Sequence, residues 1–134
     1  YEWQSIFGQG GSHTVSDVPR TIGDDLANIR VNFIEEELDE YLSANLRRDL
    51  VEILDALCDL QYFILGMVAI HGFQAIFEEA FEIVHQSNMS KIGEDGKPIL
   101  RIDGKILKGP NYWKPTEKLR ELVKSIQDRR GEKG

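Results

Sequence analysis

The fold is decided by residues 34–41, IEEELDEY, which hold five acidic residues in six consecutive positions. In a helix, residues three and four apart lie on one face. The spacing predicts that Glu36 and Glu40 continue an apolar stripe that runs through Phe33, with Glu37 beside them. Unpaired carboxylates on such a stripe repel one another and are costly to bury. They indicate either a hard divalent cation bound by oxygen ligands or an ordinary solvated acidic face.

Length and composition predict one intracellular domain, residues 1–134. Cys58 is the only cysteine, which excludes a disulfide framework and favours the cytoplasm. The longest uninterrupted apolar run, residues 62–70, is too short to span a bilayer, so we expect no membrane association.

The charge is distributed unevenly along the chain. Residues 1–90 carry four Lys or Arg against sixteen Asp or Glu, whereas residues 91–134 carry twelve against seven. An acidic body with a basic tail predicts carboxylates that bind metal and lysines that bind an anion, unless the surface charge clusters by accident. The net charge of −7 argues against nucleic acid as a partner.

Hydrophobic periodicity predicts an all-α domain, an antiparallel helical bundle with a helical core at residues 23–90. A short helical turn is expected at residues 3–7. The long helices are expected at about residues 24–44, 49–71, 73–88 and 116–130. The second is apolar on most sides, which predicts burial among other helices. A basic loop follows at residues 91–115, where Asp103-Gly104 predicts a small β-hairpin at residues 99–107.

Two antiparallel helices would bring a set of acids into the bundle core: Glu36, Glu37, Glu40, Glu52, Asp55 and Asp59. Such carboxylates suit Mg²⁺ or Mn²⁺, which commonly complete their coordination with substrate phosphates. One carboxylate left free of metal can accept the proton of an attacking water. The sequence contains no P-loop and no dinucleotide-binding glycine pattern. These residues therefore predict metal-assisted hydrolysis of a phosphoanhydride.

Four segments resemble motifs of the all-α nucleoside triphosphate pyrophosphatases, the MazG-like and phosphoribosyl-ATP-pyrophosphohydrolase-like superfamily. They are residues 34–40 (IEEELDE), 55–62 (DALCDLQY), 84–91 (VHQSNMSK) and 103–112 (DGKILKGPNY), the last followed by Pro115. The last two are similar to the branch that is frequent in bacteriophage and bacterial genomes. The resemblance covers about residues 25–115.

The resemblance implies cleavage of a (deoxy)nucleoside triphosphate into a monophosphate and pyrophosphate, for nucleotide-pool control in a bacterial or phage-infected cytoplasm. It implies that Glu36 and Glu37 are catalytic and that Glu37, Glu40 and Asp59 bind Mg²⁺. It also implies phosphate, sugar or nucleotide contacts for Asn88, Lys91, Lys105, Lys108, Tyr112 and Trp113. Arg30 is expected either to pair with an acid or to reach a phosphate. A homodimer or homotetramer is expected to complete the bundle.

One position departs from the superfamily pattern. The second motif is usually Glu-x-x-Asp, but Ala56 stands three residues before Asp59 and cannot bind metal. Asp55, or Glu52 paired with Asp55, can substitute. The departure leaves the exact ligand set open and supports one alternative, a non-catalytic metal- or nucleotide-binding oligomerisation module. Within the enzyme class, a phosphoribosyl-ATP pyrophosphohydrolase is a further alternative. The lysine-rich loop favours a general nucleotide substrate over phosphoribosyl-ATP.

Overall fold

The computed structural model describes residues 14–93 and 95–133, with side chains through residue 128. The predicted helical turn at residues 3–7 lies outside this part of the chain. In order, the elements are α1 Asp24–Leu46, α2 Leu50–Ile70, α3 Phe77–Met89, β1 Ile99–Leu100, β2 Ile106–Leu107 and α4 Thr116–Lys133. The protein is all-α apart from one small hairpin, as predicted. It divides into two compact units, Tyr1–Gln74 and Ala75–Gly134.

The first two helices begin at different kinds of cap. Gly23 is the N-cap of α1 and makes no side-chain cap bond. Asp24 and Asp25 lie in the first turn, where their negative charge interacts favourably with the positive end of the helix dipole. Asp49 is the N-cap of α2, and its carboxylate accepts the Glu52 N–H at 3.1 Å.

The helices α1 and α2 form an antiparallel pair joined by residues 47–49. Phe33 on α1 stacks against Phe63 on α2, with ring centroids 5.3 Å apart. Ala44 and Ala56 are almost fully buried, and such small side chains allow the two helix backbones to approach closely. These contacts fix the register of α1 against α2.

The core-facing stripe of α1 is not the one that we predicted from the sequence. It runs through Leu26, Arg30, Phe33 and Glu37, whereas Glu36 and Glu40 are exposed. Our prediction that Glu36 and Glu40 lie on the core stripe is therefore wrong. The reason is the position of the Phe33–Phe63 stack, which turns residues 30 and 37 toward α2.

The apolar helix α2 keeps much of its surface exposed within this chain, contrary to the predicted burial on most sides. Leu50 is 80% exposed and Leu54 is 63% exposed, because α1 covers one side of the helix only. Among the described residues, α2 is also the one helix that is long and apolar enough to cross a membrane by length and composition. It nevertheless carries Asp55 and Asp59, and carboxylates are costly in a bilayer core, which favours packing against protein.

A segment before α1 is attached to the far end of α2. The Arg20 guanidinium donates to the Ile70 carbonyl at 2.8 Å, and the Arg20 carbonyl lies 2.8 Å from His71 Nδ1. Gly72 has a φ of +78°, and a Cβ there would lie 2.1 Å from the Val18 carbonyl oxygen. Only glycine therefore fits this close crossing.

The second unit contains α3, the hairpin and α4. Ile99 pairs with Leu107 and Leu100 pairs with Ile106 in antiparallel register, which confirms the predicted hairpin. Its turn uses Gly104 at a φ of +88°. Helices α3 and α4 contact each other, and α4 buries Leu122 and Ile126.

Candidate functional site

The acidic cluster follows from the register of α1 and α2. One turn along α1 from Phe33 is Glu37, and one turn back along α2 from Phe63 is Asp59. Glu37 and Asp59 are accordingly half-buried on the facing sides of the two helices. The Phe33–Phe63 stack therefore forms an apolar boundary directly beside two carboxylates.

The charge environment of Glu37 shows which acids lie close together. Burial and then the negative charge of Asp59 raise the pKa of the Glu37 carboxyl. Smaller contributions in the same direction come from Glu40, Asp55 and Glu36. Four of the other five predicted metal ligands thus lie within electrostatic reach of Glu37. The repulsion that they exert on Glu37 is the situation that a bound cation relieves.

The donor atoms of this cluster are all carboxylate oxygens. That chemistry fits a hard divalent cation such as Mg²⁺ or Mn²⁺ and does not fit a soft metal. Within residues 14–93 and 95–133, however, no three Asp, Glu, His or Cys side chains are already arranged around one point. Binding a cation would therefore require the exposed carboxylates of Glu36, Glu40 and Asp55 to turn toward Glu37 and Asp59.

The sixth predicted ligand lies farther from the cluster. By the same register Glu52 is level with Ala44, seven residues beyond Glu37, which corresponds to about 10 Å along the helix axis. Glu52 is not among the charges that raise the Glu37 pKa, whereas Asp55 is. The structure thus favours Asp55 over Glu52 as the acid that compensates for buried Ala56.

Arg30 lies inside the first unit. It is 2% exposed, on the same stripe as Glu37 and about two turns before it. Burial lowers the pKa of its guanidinium group from the usual value. Substrate contact by Arg30 stays a prediction.

In the second unit, lysines and aromatic rings gather at the end of α3. The Lys91 and Lys108 ammonium nitrogens lie 5.9 Å and 5.1 Å from the centre of the Tyr112 ring. The Lys118 ammonium nitrogen lies 4.3 Å from the centre of the Trp113 ring. Two lysines that share one ring form a local concentration of positive charge beside a flat apolar surface. We call Lys91, Lys108 and Tyr112 the lysine cluster.

The other two predicted substrate residues of this unit, Asn88 and Lys105, lie on different structural elements. Asn88 is exposed in the last turn of α3, and its carbonyl accepts the Lys91 N–H at 3.1 Å. Lys105 lies in the turn of the hairpin, where its N–H donates to Asp103 Oδ1 at 3.2 Å. Lys105 thus belongs to the hairpin, and Asn88 to the helix that leads into the lysine cluster.

Two serines that sequence reasoning missed hold the closing loop, residues 109–115. The buried Ser87 hydroxyl donates to the Trp113 carbonyl at 2.8 Å, and Ser90 Oγ accepts the Trp113 N–H at 3.2 Å. The Ser90 hydroxyl also donates to the Ser87 carbonyl at 2.6 Å. The only signal in the sequence is the three-residue spacing of two serines at a helix end, which does not identify a partner 26 residues away.

Comparisons with known proteins agree with this arrangement. The family model described as phosphoribosyl-ATP pyrophosphohydrolase matches residues 4–88, which include all six acids. The crystal structure of a candidate NTP pyrophosphohydrolase from Exiguobacterium sp. 255-15 is similar, with a TM-score of 0.55 and 28% sequence identity. The match covers 82% of this chain and 69% of that chain. No curated protein matches the sequence. The chain belongs to the phosphoribosyl-ATP pyrophosphohydrolase family, and it is a hydrolase that acts on phosphoanhydrides.

Proposed function

We propose that the protein is a divalent-cation-dependent pyrophosphohydrolase of (deoxy)nucleoside triphosphates. Water is added across the anhydride between the α and β phosphates, which yields a nucleoside monophosphate and pyrophosphate. One observation carries the proposal: the half-buried Glu37 carboxyl on α1 has its pKa raised by burial and by the acids around it, first among them Asp59 on α2. Positive charge, which a bound cation supplies, relieves the repulsion that these acids exert on Glu37.

The cation, Mg²⁺ or Mn²⁺, would be held by Glu40, Asp55 and Asp59 together with one of Glu36 and Glu37. When bound, such an ion screens phosphate charge and acts as a Lewis acid. The chain's own contribution is to orient the oxygens from two facing helices, and to limit access of water on the side of the Phe33–Phe63 stack. Either Glu36 or Glu37, whichever is left free of metal, accepts the proton of the attacking water.

Phosphate or nucleotide binding is assigned to the second unit. The ammonium groups of Lys91 and Lys108 offset polyphosphate charge, and Tyr112 and Trp113 offer ring surfaces for a base or sugar. Asn88, Lys105 and Arg30 complete the predicted set. The acidic first ninety residues and the basic remainder of the chain fit this division.

We also propose that the active form is a homodimer or homotetramer. The support is the exposed apolar surface of α2, where Leu50, Val51 and Leu54 are each more than half exposed. Apolar surface of this extent on one helix is typical of an interface. A second copy of α2 is a suitable partner because it carries the same apolar side chains.

A second candidate substrate is phosphoribosyl-ATP, because the family model that matches residues 4–88 bears that name. Its hydrolysis is the same reaction at a nucleoside triphosphate whose base carries an additional ribose phosphate. The lysine cluster does not separate the two substrates, since both present a triphosphate. A third possibility, a non-catalytic metal- or nucleotide-binding module, is supported by Ala56 at a usual ligand position.

The test is chromatographic product analysis with Mg²⁺ and, in turn, each common and deaminated (deoxy)nucleoside triphosphate and phosphoribosyl-ATP. A monophosphate and pyrophosphate from one or a few triphosphates would support the proposal and identify the base. Turnover of phosphoribosyl-ATP alone would select the second candidate. A diphosphate and orthophosphate, or no product from a protein that binds Mg²⁺, would contradict the proposed reaction.

Matched variants test whether the acidic cluster performs the reaction. Glu37→Gln and Asp59→Asn should abolish turnover, because each removes a carboxylate at the centre of the cluster. Glu35→Gln is the control, since Glu35 is exposed on the same helix and is not among the charges that act on Glu37. Equal activity of all three variants would exclude the cluster as the active site.

A further inference from the structure

The backbone of Trp113 is held at both of its polar groups by hydroxyls from the end of α3. Ser87 Oγ donates to the Trp113 carbonyl at 2.8 Å, and Ser90 Oγ accepts the Trp113 N–H at 3.2 Å. Ser87 is only 2% exposed. A hydroxyl bonded this deeply is costly to replace, because its loss leaves buried backbone polar groups without a partner.

The contacts around this pair extend to the lysine cluster. Lys91 follows Ser90 directly, while Tyr112 precedes Trp113 directly. Gly109, at the start of the same loop, lies so close to the residues that follow α3 that a Cβ there would be 2.8 Å from the carbonyl oxygens of Lys91 and Ile92. The loop therefore contacts the end of α3 and the residues directly after it at two places, on either side of Tyr112.

We propose that Ser87 and Ser90 are positioning residues for anion binding. By holding the backbone of residue 113 they keep the Tyr112 ring near the ammonium groups of Lys91 and Lys108. Neither serine touches the anion. The inference rests on the proposed function, in which the lysine cluster binds the polyphosphate of the substrate.

The chemistry of the two bonds supports positioning over general stability. Two bonds to one residue fix both the location and the orientation of a peptide unit, which a single contact does not do. The Lys108 ammonium nitrogen lies 5.1 Å from the Tyr112 ring centre, so a displacement of the loop by an ångström or two would separate the ring from both lysines. Loss of the serines should therefore weaken anion binding without removing any charge.

The experiment measures loop position and anion binding separately. In a Trp3→Phe background, Trp113 is the single tryptophan of the sequence, so its emission reports the closing loop. Ser87→Ala and Ser90→Ala remove one hydroxyl each, and Ser90→Thr keeps it. The probe is inorganic pyrophosphate, titrated by fluorescence on the full-length protein, followed by KM and kcat with the best triphosphate substrate.

We expect both alanine variants to shift Trp113 emission and to weaken pyrophosphate binding about tenfold. KM should rise by a similar factor while kcat changes less than about twofold, and Ser90→Thr should restore both values. Ser125→Ala is the control, because its hydroxyl also donates to a backbone carbonyl, that of Leu122, but within α4 and away from the loop. A variant that merely destabilised the fold would lower thermal stability without this separation of KM from kcat.

Three results would overturn the proposal. The first is unchanged Trp113 emission in the alanine variants, and the second is shifted emission with unchanged pyrophosphate affinity. The third is a wild-type protein that does not bind pyrophosphate at all. A wild-type protein that binds pyrophosphate but hydrolyses no triphosphate would refute the proposed function alone, since the titration still tests the two serines.

Discussion

Glu37 on α1 and Asp59 on α2 are half-buried and face each other across the helix pair, one turn away from the Phe33–Phe63 stack. Burial and then the charge of Asp59 raise the pKa of Glu37. No Lys or Arg is among the causes of that shift. The ionised Glu37 carboxylate is consequently unfavourable for the stability of the metal-free chain, and the proposed cation would relieve this repulsion.

Replacing Glu37 with glutamine should raise stability and remove activity at once. The variant loses the repulsion from the neighbouring acids, so at pH 7 in a chelator its unfolding midpoint should lie above that of the wild type. Its turnover should fall by at least about 100-fold, because a ligand or base is lost. Thermal denaturation and product chromatography measure the two effects, with Asp39→Asn as the control on the exposed side of α1. A variant less stable than the wild type would contradict the proposed repulsion.

The pH dependence of stability follows from the direction of the same shift. The folded chain holds the Glu37 proton more tightly than the unfolded chain, whose glutamates titrate near pH 4.3, roughly. The group therefore contributes stability that is present below that pH and is lost as the pH rises through the higher folded pKa.

We expect the midpoint difference between Glu37→Gln and wild type, measured in a chelator, to be small at pH 4. It should grow toward pH 7, because the glutamine has no proton to lose while the wild-type carboxyl ionises beside Asp59. Saturating Mg²⁺ should reduce the difference at pH 7, since the cation binds the folded wild type. A difference that is constant with pH would show that Glu37 does not titrate in an acidic cluster.

The acid that compensates for Ala56 can be identified by comparing two variants. Asp55 acts on Glu37 electrostatically, whereas Glu52 lies level with Ala44 and does not. Asp55→Asn should therefore weaken Mg²⁺ binding by roughly tenfold or more, and Glu52→Gln should change it little. Calorimetric titration with Mg²⁺ provides both affinities. If Glu52→Gln weakened Mg²⁺ binding more than Asp55→Asn did, the metal site would lie closer to the turn between α1 and α2.

The helices themselves were largely predictable from hydrophobic periodicity, but the inward face of α1 was not. Ile29, Phe33, Glu36 and Glu40 are spaced by four, three and four residues, and so are Leu26, Arg30, Phe33 and Glu37. Both stripes share Phe33 and have helical spacing. Each stripe contains two apolar and two charged residues, so hydrophobicity does not choose between them. The structure adopts the second, because the contact with α2 decides which face is buried, and that contact is not local in sequence.

The acids of α2 and the hairpin illustrate what local chemistry does predict. The three- and four-residue spacing of Glu52, Asp55 and Asp59 places them on one face, and Asp103-Gly104 specifies the turn of the hairpin. The serine contacts to Trp113 could not be predicted from the sequence, because their partner is a backbone group far along the chain. Likewise, the register between two helices decides which of the acids on one face contacts the facing helix.

The contributions of two neighbouring lysines should differ despite equal charge. Lys108 shares the Tyr112 ring with Lys91, whereas Lys105 lies in the turn of the hairpin. Lys108→Gln should raise KM for the triphosphate about tenfold, and Lys105→Gln should raise it less. Steady-state kinetics at fixed ionic strength test this order, because general charge loss would affect both equally. Equal increases in KM would show that the two lysines attract the triphosphate at long range and do not form a defined site.

Self-association through α2 should be sensitive to a single charge on its exposed side. Leu54 is 63% exposed in the chain and makes a suitable position, because its replacement removes little packing within the α1–α2 pair. If two copies pair through α2, Leu54→Lys buries a charge at the interface and should shift the protein to monomers at micromolar concentration. Sedimentation velocity measures the change, and Glu78→Gln on the exposed side of α3 is the charge-matched control, because it also changes the net charge by +1. A Leu54→Lys protein that keeps the wild-type mass would exclude α2 as the interface, and a monomeric wild type would exclude the oligomer itself.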